Sequence, residues 1–284
     1  MTAAYDPAPM DSRAFLGLQR THNPYRWHLE VTQGLSTPGN FLFGGCGLGA
    51  AISALEGTVA RPCVWATAQY LSFATVGEVT DIDVTVSVEG HQISQGRAVG
   101  HVGNGEIFTV NAAFGVRPLE FAGQWERIEV DVPPPEECPS RPTRVPVDGT
   151  VNERIDVRIA RGRDWDDLDG QQGDGRTLAW ARIPEVIEDV DATALAILGD
   201  FVPMGVSQAL GIRGGGTSLD NTLRIVRLVP TKWVLLDIQV HAVDHGFGHG
   251  LAHMFAEDGT LLATASQSCV VRFWPPDQDG GPPR

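Results

Sequence analysis

Lysine is almost missing from this chain: of 21 basic residues in 284, only Lys232 is lysine and the other 20 are arginine. The imbalance points to codon usage more than to design. Basic charge as a whole is scarce, 21 residues against 35 acidic ones, for a formal net charge of −14. That deficit argues against a nucleic-acid or anionic-membrane binder, because such surfaces need a basic footprint. It also sets a puzzle for any anionic substrate. Cysteine is sparse as well. Cys46, Cys63, Cys138 and Cys269 are scattered with no C-x-x-C pair, which predicts buried free thiols in a reducing compartment rather than a disulfide framework. MTAAYDPAPMDSR has neither a basic start nor an apolar core, so no signal peptide is expected. The most apolar stretch, residues 192–212, is broken by Asp200, Pro203 and Ser207, and a membrane span is not expected there. A cytoplasmic protein is the resulting expectation.

What is present is ordinary globular composition, 42% hydrophobic and 20% charged. The length fits one large domain or two smaller ones. Residues 78–88, EVTDIDVTVSV, alternate cleanly, with Ile82, Val84, Val86 and Val88 on one face, and predict a half-buried antiparallel strand. Residues 25–32, 64–74, 92–102 and 107–116 are also strand-like, and Asn104-Gly105 predicts a hairpin turn between the last two. Between the first two strands, GGCGLGAAISALEGTVA predicts a helix that opens on a glycine pair.

The order recurs after residue 150. Strands are expected over 151–160 and 176–183, an apolar helix over 192–212, and four strands over 218–229, 233–243, 249–255 and 261–273. Asp258-Gly259 stands where Asn104-Gly105 stood. So long a period predicts a duplicated domain. Each half has one helix and a meander of strands, for which an antiparallel sheet wrapped around a buried helix is the economical packing. The expected division is residues 1–120, an extended linker over 121–150 (PPPEECPSRPTRVP), a second unit over 151–275 and a frayed tail over 276–284. RGRDWDDLDGQQGDGR is expected to be an exposed loop.

Several patterns suggest chemistry. Gly45-x-Gly47-x-x-Ala50 approaches the dinucleotide fingerprint, but an antiparallel meander follows it and the acidic partner is missing. Glycines that let the helix lie close to the sheet explain it better, and free N–H groups at Gly44 and Gly45 could face a ligand oxyanion. Gly205-Val206-Ser207-Gln208-Ala209 resembles a nucleophile elbow without the strand that an elbow requires. His241, His245, His249 and His253 recur every four residues, yet their glycine-rich surroundings predict strand–turn–strand, and no metal site is expected.

Asp200 is the strongest oddity, a carboxylate inside the otherwise apolar LAILGDFVPMGV. Buried, it needs hydrogen-bond donors or its pKa rises. Two readings stay open: an Asp bonded to backbone N–H groups near a kink at Pro203, or a general base in a dry pocket. Gln267, in the small and apolar LLATASQSCVVRFW, is the parallel oddity. Ser218 follows the flexible Gly214-Gly215-Gly216, and the three could converge.

Taken in order, FLFGGCGLGAAISA, EGHQISQGRAV, NGEIFTVNAAF, Leu198-Gly199-Asp200, SLDNT, KWVLLD and EDGTLLATASQSCVVR resemble the TesB-like acyl-CoA thioesterase II family. The resemblance spans residues 15–120 and 150–274 and implies an α+β double hotdog with no cofactor. It assigns water positioning to Asp200, Ser218 and Gln267, with acyl-CoA as the substrate. The chain departs from the family's pattern at Phe73 to Gly77, Phe247, Asn221, Ser268 and Cys269. The chemistry suits the residue types: a thiolate from a thiol of pKa about 8.5 leaves with little acid assistance, so one base, water-positioning groups and an oxyanion donor suffice. A hotdog hydratase and a non-catalytic acyl-CoA-binding hotdog are the alternatives, and a homo-oligomer is expected. Residues 121–190 carry 9 basic and 16 acidic groups, half of the net charge. Arg213, Arg224 and Arg227 cluster in sequence around Ser218, which suggests a local basic patch for CoA phosphates.

Overall fold

The computed structural model describes residues 11–128, 131–141, 148–186 and 190–273. Its first half runs α1 (Ser12–Leu16), β1 (Gln19–Arg20), β2 (Arg26–Glu30), α2 (Gly44–Val59), β3 (Cys63–Tyr70), β4 (Val79–Glu89), β5 (Ile93–Val102) and β6 (Gly105–Gly115). The second runs α3 (Val151–Arg154), β7 (Asp156–Arg161), β8 (Arg176–Arg182), α4 (Ala192–Leu198), α5 (Val202–Leu210), β9 (Gly214–Ser218), β10 (Asp220–Ile225), β11 (Val234–Asp244), β12 (Phe247–Ala256) and β13 (Leu261–Phe273). The expected tail lies outside the described residues, as do residues 129–130 and 142–147 of the expected linker. Most of the linker that is described is irregular, with one short turn of 3-10 helix at Pro135–Glu137.

All the pairings between these strands are antiparallel, in the order β1-β2-β4-β5-β6-β3-β10-β13-β12-β11-β8-β7, and β9 pairs with β13. The two halves join where β3 meets β10, and Thr67 and Thr222 share a hydroxyl hydrogen bond of 2.7 Å across that seam. Helix α2 covers the inner face of the first half, and α5 covers that of the second. This is the α+β double hotdog implied by the resemblance.

Small residues set how closely the helices approach. A Cβ on Gly45 would come within 2.9 Å of the Ile197 backbone, and one on Gly49 within 3.1 Å of the Thr193 carbonyl oxygen. Glycine at both positions lets α2 lie directly on α4. Leu48, Ile52 and Leu55 are fully buried beneath it.

Several local expectations change. The strand expected over residues 151–160 begins as the single turn α3 and becomes strand at Asp156. The hairpin turn sits on Gly103-Asn104, one residue early, because Gly103 takes the left-handed φ of +57°. A bulge between Val86 and Val88 turns Val88 out to solvent, breaking the alternation that would have buried it. The long apolar helix over residues 192–212 is divided. Pro203 has no N–H and its ring would clash with the carbonyl four residues back, so it is tolerated only in a first turn. Helix α5 therefore starts afresh at Val202, and Gly199, Asp200 and Phe201 form the break.

Candidate active site

The break between α4 and α5 frees the Asp200 carboxylate from a helix surface and points it into the seam between the halves. Asp200 is 6% exposed and Gln267 is 3% exposed. One carboxylate oxygen, Oδ1, accepts from Ser218 Oγ at 3.1 Å and from Gln267 Nε2. The other, Oδ2, accepts from the Gly45 backbone N–H at 2.6 Å. Gln267 is itself fixed: its Oε1 accepts from Val202 N at 3.2 Å, and its Nε2 also donates to Ser218 Oγ at 3.2 Å. The amide thus cannot turn over without losing a bond at both ends.

Burial pushes Asp200 up from its ordinary 3.8 to about 6, while the Gln267, Gly45 and Ser218 donors pull it back. A carboxylate poised there is ionised at neutral pH and basic enough to accept a proton. Tyr70 closes the same space from β3, its hydroxyl donating to the Gly44 carbonyl at 2.9 Å. Burial first, and then the Asp200 carboxylate, push the Tyr70 phenol well above its ordinary value, so it stays protonated.

A bulge is responsible for Ser218. The strand expected from Ser218 to Val229 is broken at Leu219, whose N–H is bonded to Ser268 O at 2.8 Å. The β9–β13 register pairs Ser218 with Cys269, whereas the β10–β13 register pairs Thr222 with Ser266, an offset of one residue. Because facing alternates along a strand, that single residue turns Ser218 to the same inner face as Asn221 and Leu223. Without the bulge Ser218 would share the outer face with Arg224.

The same geometry separates the three arginines. Arg224 lies exposed on the outer face of β10, away from Asp200. Arg227 lies beyond the far end of β10, its backbone N–H on Leu262 O. Arg213 precedes β9 at the opposite end, with a guanidinium nitrogen 3.6 Å from Asp166 Oδ1. At about 3.3 Å per residue, the fourteen positions from Arg213 to Arg227 cover close to 45 Å of extended chain. Arg213 thus stands far from Arg224 and Arg227, and the three do not form one patch in space. The expectation for Gly45 changes too, because its N–H is committed to Asp200 and does not stand free to meet an oxyanion.

The remaining candidates fall elsewhere. Ser207 is buried on α5, its hydroxyl bonded to the Pro203 carbonyl at 3.4 Å. His241 and His245 are exposed, and Asp237 is locked in a two-pronged pair with Arg176 at 2.9 and 2.7 Å. Among the described residues no group of three or more His, Cys, Asp or Glu side chains could hold a metal ion. Sequence reasoning missed the Gly45 and Tyr70 contacts. The only available signal was the Ala66-x-Ala68-x-Tyr70 alternation, which puts a large polar ring at the end of a face otherwise lined by alanine.

The profile of the acyl-CoA thioesterase C-terminal domain matches residues 135–271. A solved chain from Novosphingobium aromaticivorans, described as a thioesterase, is 32% identical, with a TM-score of 0.78 over 89% of this chain and 97% of that one. A hot dog fold protein from Alicyclobacillus acidocaldarius is 20% identical, with a TM-score of 0.79 over 93% and 98%. Acyl-CoA thioesterase II from Mycobacterium marinum is also 20% identical, with a TM-score of 0.71 over 93% and 98%. A search of curated proteins gives no match.

Proposed function

This chain belongs to the TesB-like acyl-CoA thioesterase II family, and on that footing we propose that it hydrolyses fatty acyl-CoA to a free fatty acid and CoA by general-base activation of water. The observation that carries this reading is the buried Asp200 carboxylate, raised to about 6 and held by three donors. Ser218 and Gln267 meet on one of its oxygens, and a water placed among the three would be oriented by a hydroxyl and an amide while Asp200 takes its proton.

The reaction also needs a donor to the oxyanion, a role the Gly45 N–H cannot fill while it is committed to Asp200. The water oxygen attacks the thioester carbonyl carbon as its proton passes to Asp200. The tetrahedral intermediate collapses by breaking the carbon–sulfur bond, and CoA leaves as thiolate. The proton held on Asp200 returns to solvent or to that thiolate, which restores the base. Gly45 holds the carboxylate in place by its backbone N–H, so the helix start acts on the base.

The hydratase alternative has less support. It wants an Asp and a His arranged as acid and base, whereas Asp237 is neutralised by Arg176, and His245 is exposed on a turn. Release of free thiol from short, medium and long acyl-CoAs tests the proposal. Asp200→Asn and Gln267→Ala should each lower the rate by about 10²–10⁴. Wild-type rates in both variants would reject the assignment, and tight acyl-CoA binding without thiol release would favour a non-catalytic binder.

A further inference from the structure

Asn221 is the most unusual polar residue near the site. It is 1% exposed, and neither its Oδ1 nor its Nδ2 has a hydrogen-bond partner among the described residues. A buried primary amide with both ends unpaired is costly in any fold, and native structures retain such groups for a reason. Its neighbours explain neither end. On β3 its cross-strand partner is Ala68, which has no polar side-chain atom. On the other side, the register that pairs Thr222 with Ser266 sets Asn221 beside Gln267 when carried one residue on. Asn221 and Gln267 both point to the inner face, as the burial of Leu223 and Ala265 beside them requires. Tyr70, two residues beyond Ala68, is already bonded to Gly44.

We infer that Asn221 reads a hydroxyl group on the acyl chain, within the first few carbons of the thioester, and so directs this enzyme to hydroxyacyl thioesters over plain alkyl ones. The inference rests on the thioesterase reading of Asp200, Ser218 and Gln267, and it names the substrate class of that site. Position argues for it. Side chains directly opposite on neighbouring strands stand about 5 Å apart at Cβ, so Asn221 lies a few bond lengths from the residue that orients the attacking water. Chemistry selects the group. A thioester or keto oxygen only accepts and would answer Nδ2 alone. A hydroxyl donates to Oδ1 and accepts from Nδ2, which satisfies both ends of the amide. A plain alkyl chain would satisfy neither, and sites built to bond a substrate hydroxyl discriminate strongly against analogues that lack it.

The test compares octanoyl-CoA with its 2-, 3- and 4-hydroxy derivatives in a thiol-release assay on the full-length protein. For at least one hydroxy isomer, kcat/KM should exceed that of octanoyl-CoA by tenfold or more. In Asn221→Leu, which keeps the branched shape in a somewhat larger side chain and removes both polar atoms, that ratio should fall to one or below. Asn221→Ser, which keeps one donor-acceptor in a smaller side chain, should give an intermediate ratio. The inference is overturned if no hydroxy isomer beats the plain chain in wild type, or if the ratio survives in Asn221→Leu. Should that variant not fold, the wild-type ratios and Asn221→Ser still decide. If no thiol is released from any substrate, the thioesterase reading fails on its own. Equilibrium binding of the same four compounds then decides the role of Asn221, and equal affinities refute it.

Discussion

An ionised Asp200 should destabilise the fold that holds it, and the size of that effect can be worked out. Unfolded, the carboxyl ionises near its ordinary 3.8; folded, near about 6. Between those values the folded state binds a proton that the unfolded state does not, so stability falls as pH rises through the window. The favourable contribution is complete below about 3.8 and absent above about 6. Each unit is worth about 1.36 kcal/mol, so the full difference is about 3 kcal/mol, of which about 2 falls between pH 4.5 and 7.5. Other carboxylates titrate over the same range, and Asp200→Asn removes this one alone. The stability difference, wild type minus variant, should therefore decline by about 2 kcal/mol from pH 4.5 to 7.5, whatever constant offset the new amide introduces. With an unfolding entropy of about 2.1 cal/mol/K per residue, that equals about 3 °C in the difference of Tm, within reach of calorimetry. The same titration should appear in catalysis, as a tenfold fall in kcat/KM per pH unit below about 6. A stability difference that stays flat across the range would refute the buried-base argument, even if Asp200→Asn is inactive.

The other predictions test the frame around the base. Gln267→Glu sets a second carboxyl against Asp200, and like charges raise the shared pKa, so the acid limb of the rate profile should move up by at least one unit. A Cβ on Gly44 would lie 2.8 Å from Asp200 Oδ2 and 3.0 Å from the Tyr70 ring; Gly44→Ala should lower kcat about 10²-fold while circular dichroism shows the fold intact. Removing Asp237 leaves Arg176 facing a buried gap, and Asp237→Ala should lose about 3–5 kcal/mol by chemical denaturation. Arg224 lies on the outer face, so Arg224→Ala should change KM for acyl-CoA by less than twofold; a tenfold rise would put CoA on that face.

Much of this fold was legible because it depends on periodicity. Alternation at 78–88, the small-residue helix and the matching turns 154 positions apart specify a repeated helix-wrapped sheet, and that repeat appears. What was illegible depends on single-residue slips in register. The break at Gly199–Phe201 was signalled by Pro203, but the bulge at Leu219 carries no glycine and no proline to announce it. Reading 218–229 as one strand puts Ser218 and Arg224 on the same face, whereas the bulge sets them on opposite faces. Asp200 and Gln267 stood out for a different reason: a polar side chain in an apolar run is conspicuous whichever way the strand faces. Ser218 is marked in the sequence only by its place after the Gly214-Gly215-Gly216 loop, and the resemblance gives it a role where parity alone would turn it outward.

The bulge also explains why the site draws on both halves. It turns Ser218 inward where β9 gives way to β10, the strand that lies between β13 and β3, so the residues that hold Asp200 lie at the seam and not inside one unit. From the second half come Asp200, Ser218 and Gln267; from the first come the Gly45 N–H and the Tyr70 ring that closes the space. The Gly45 bond is charge-assisted, and such bonds are roughly twice as strong as neutral ones. Separating the halves would leave the Asp200 carboxylate without the donor on Oδ2 and open it to water, which removes the burial that raises its pKa. An arrangement of this kind ties the strength of the base to the docking of the two repeats. Duplication without that docking would give two helix-wrapped sheets and no poised carboxylate in either.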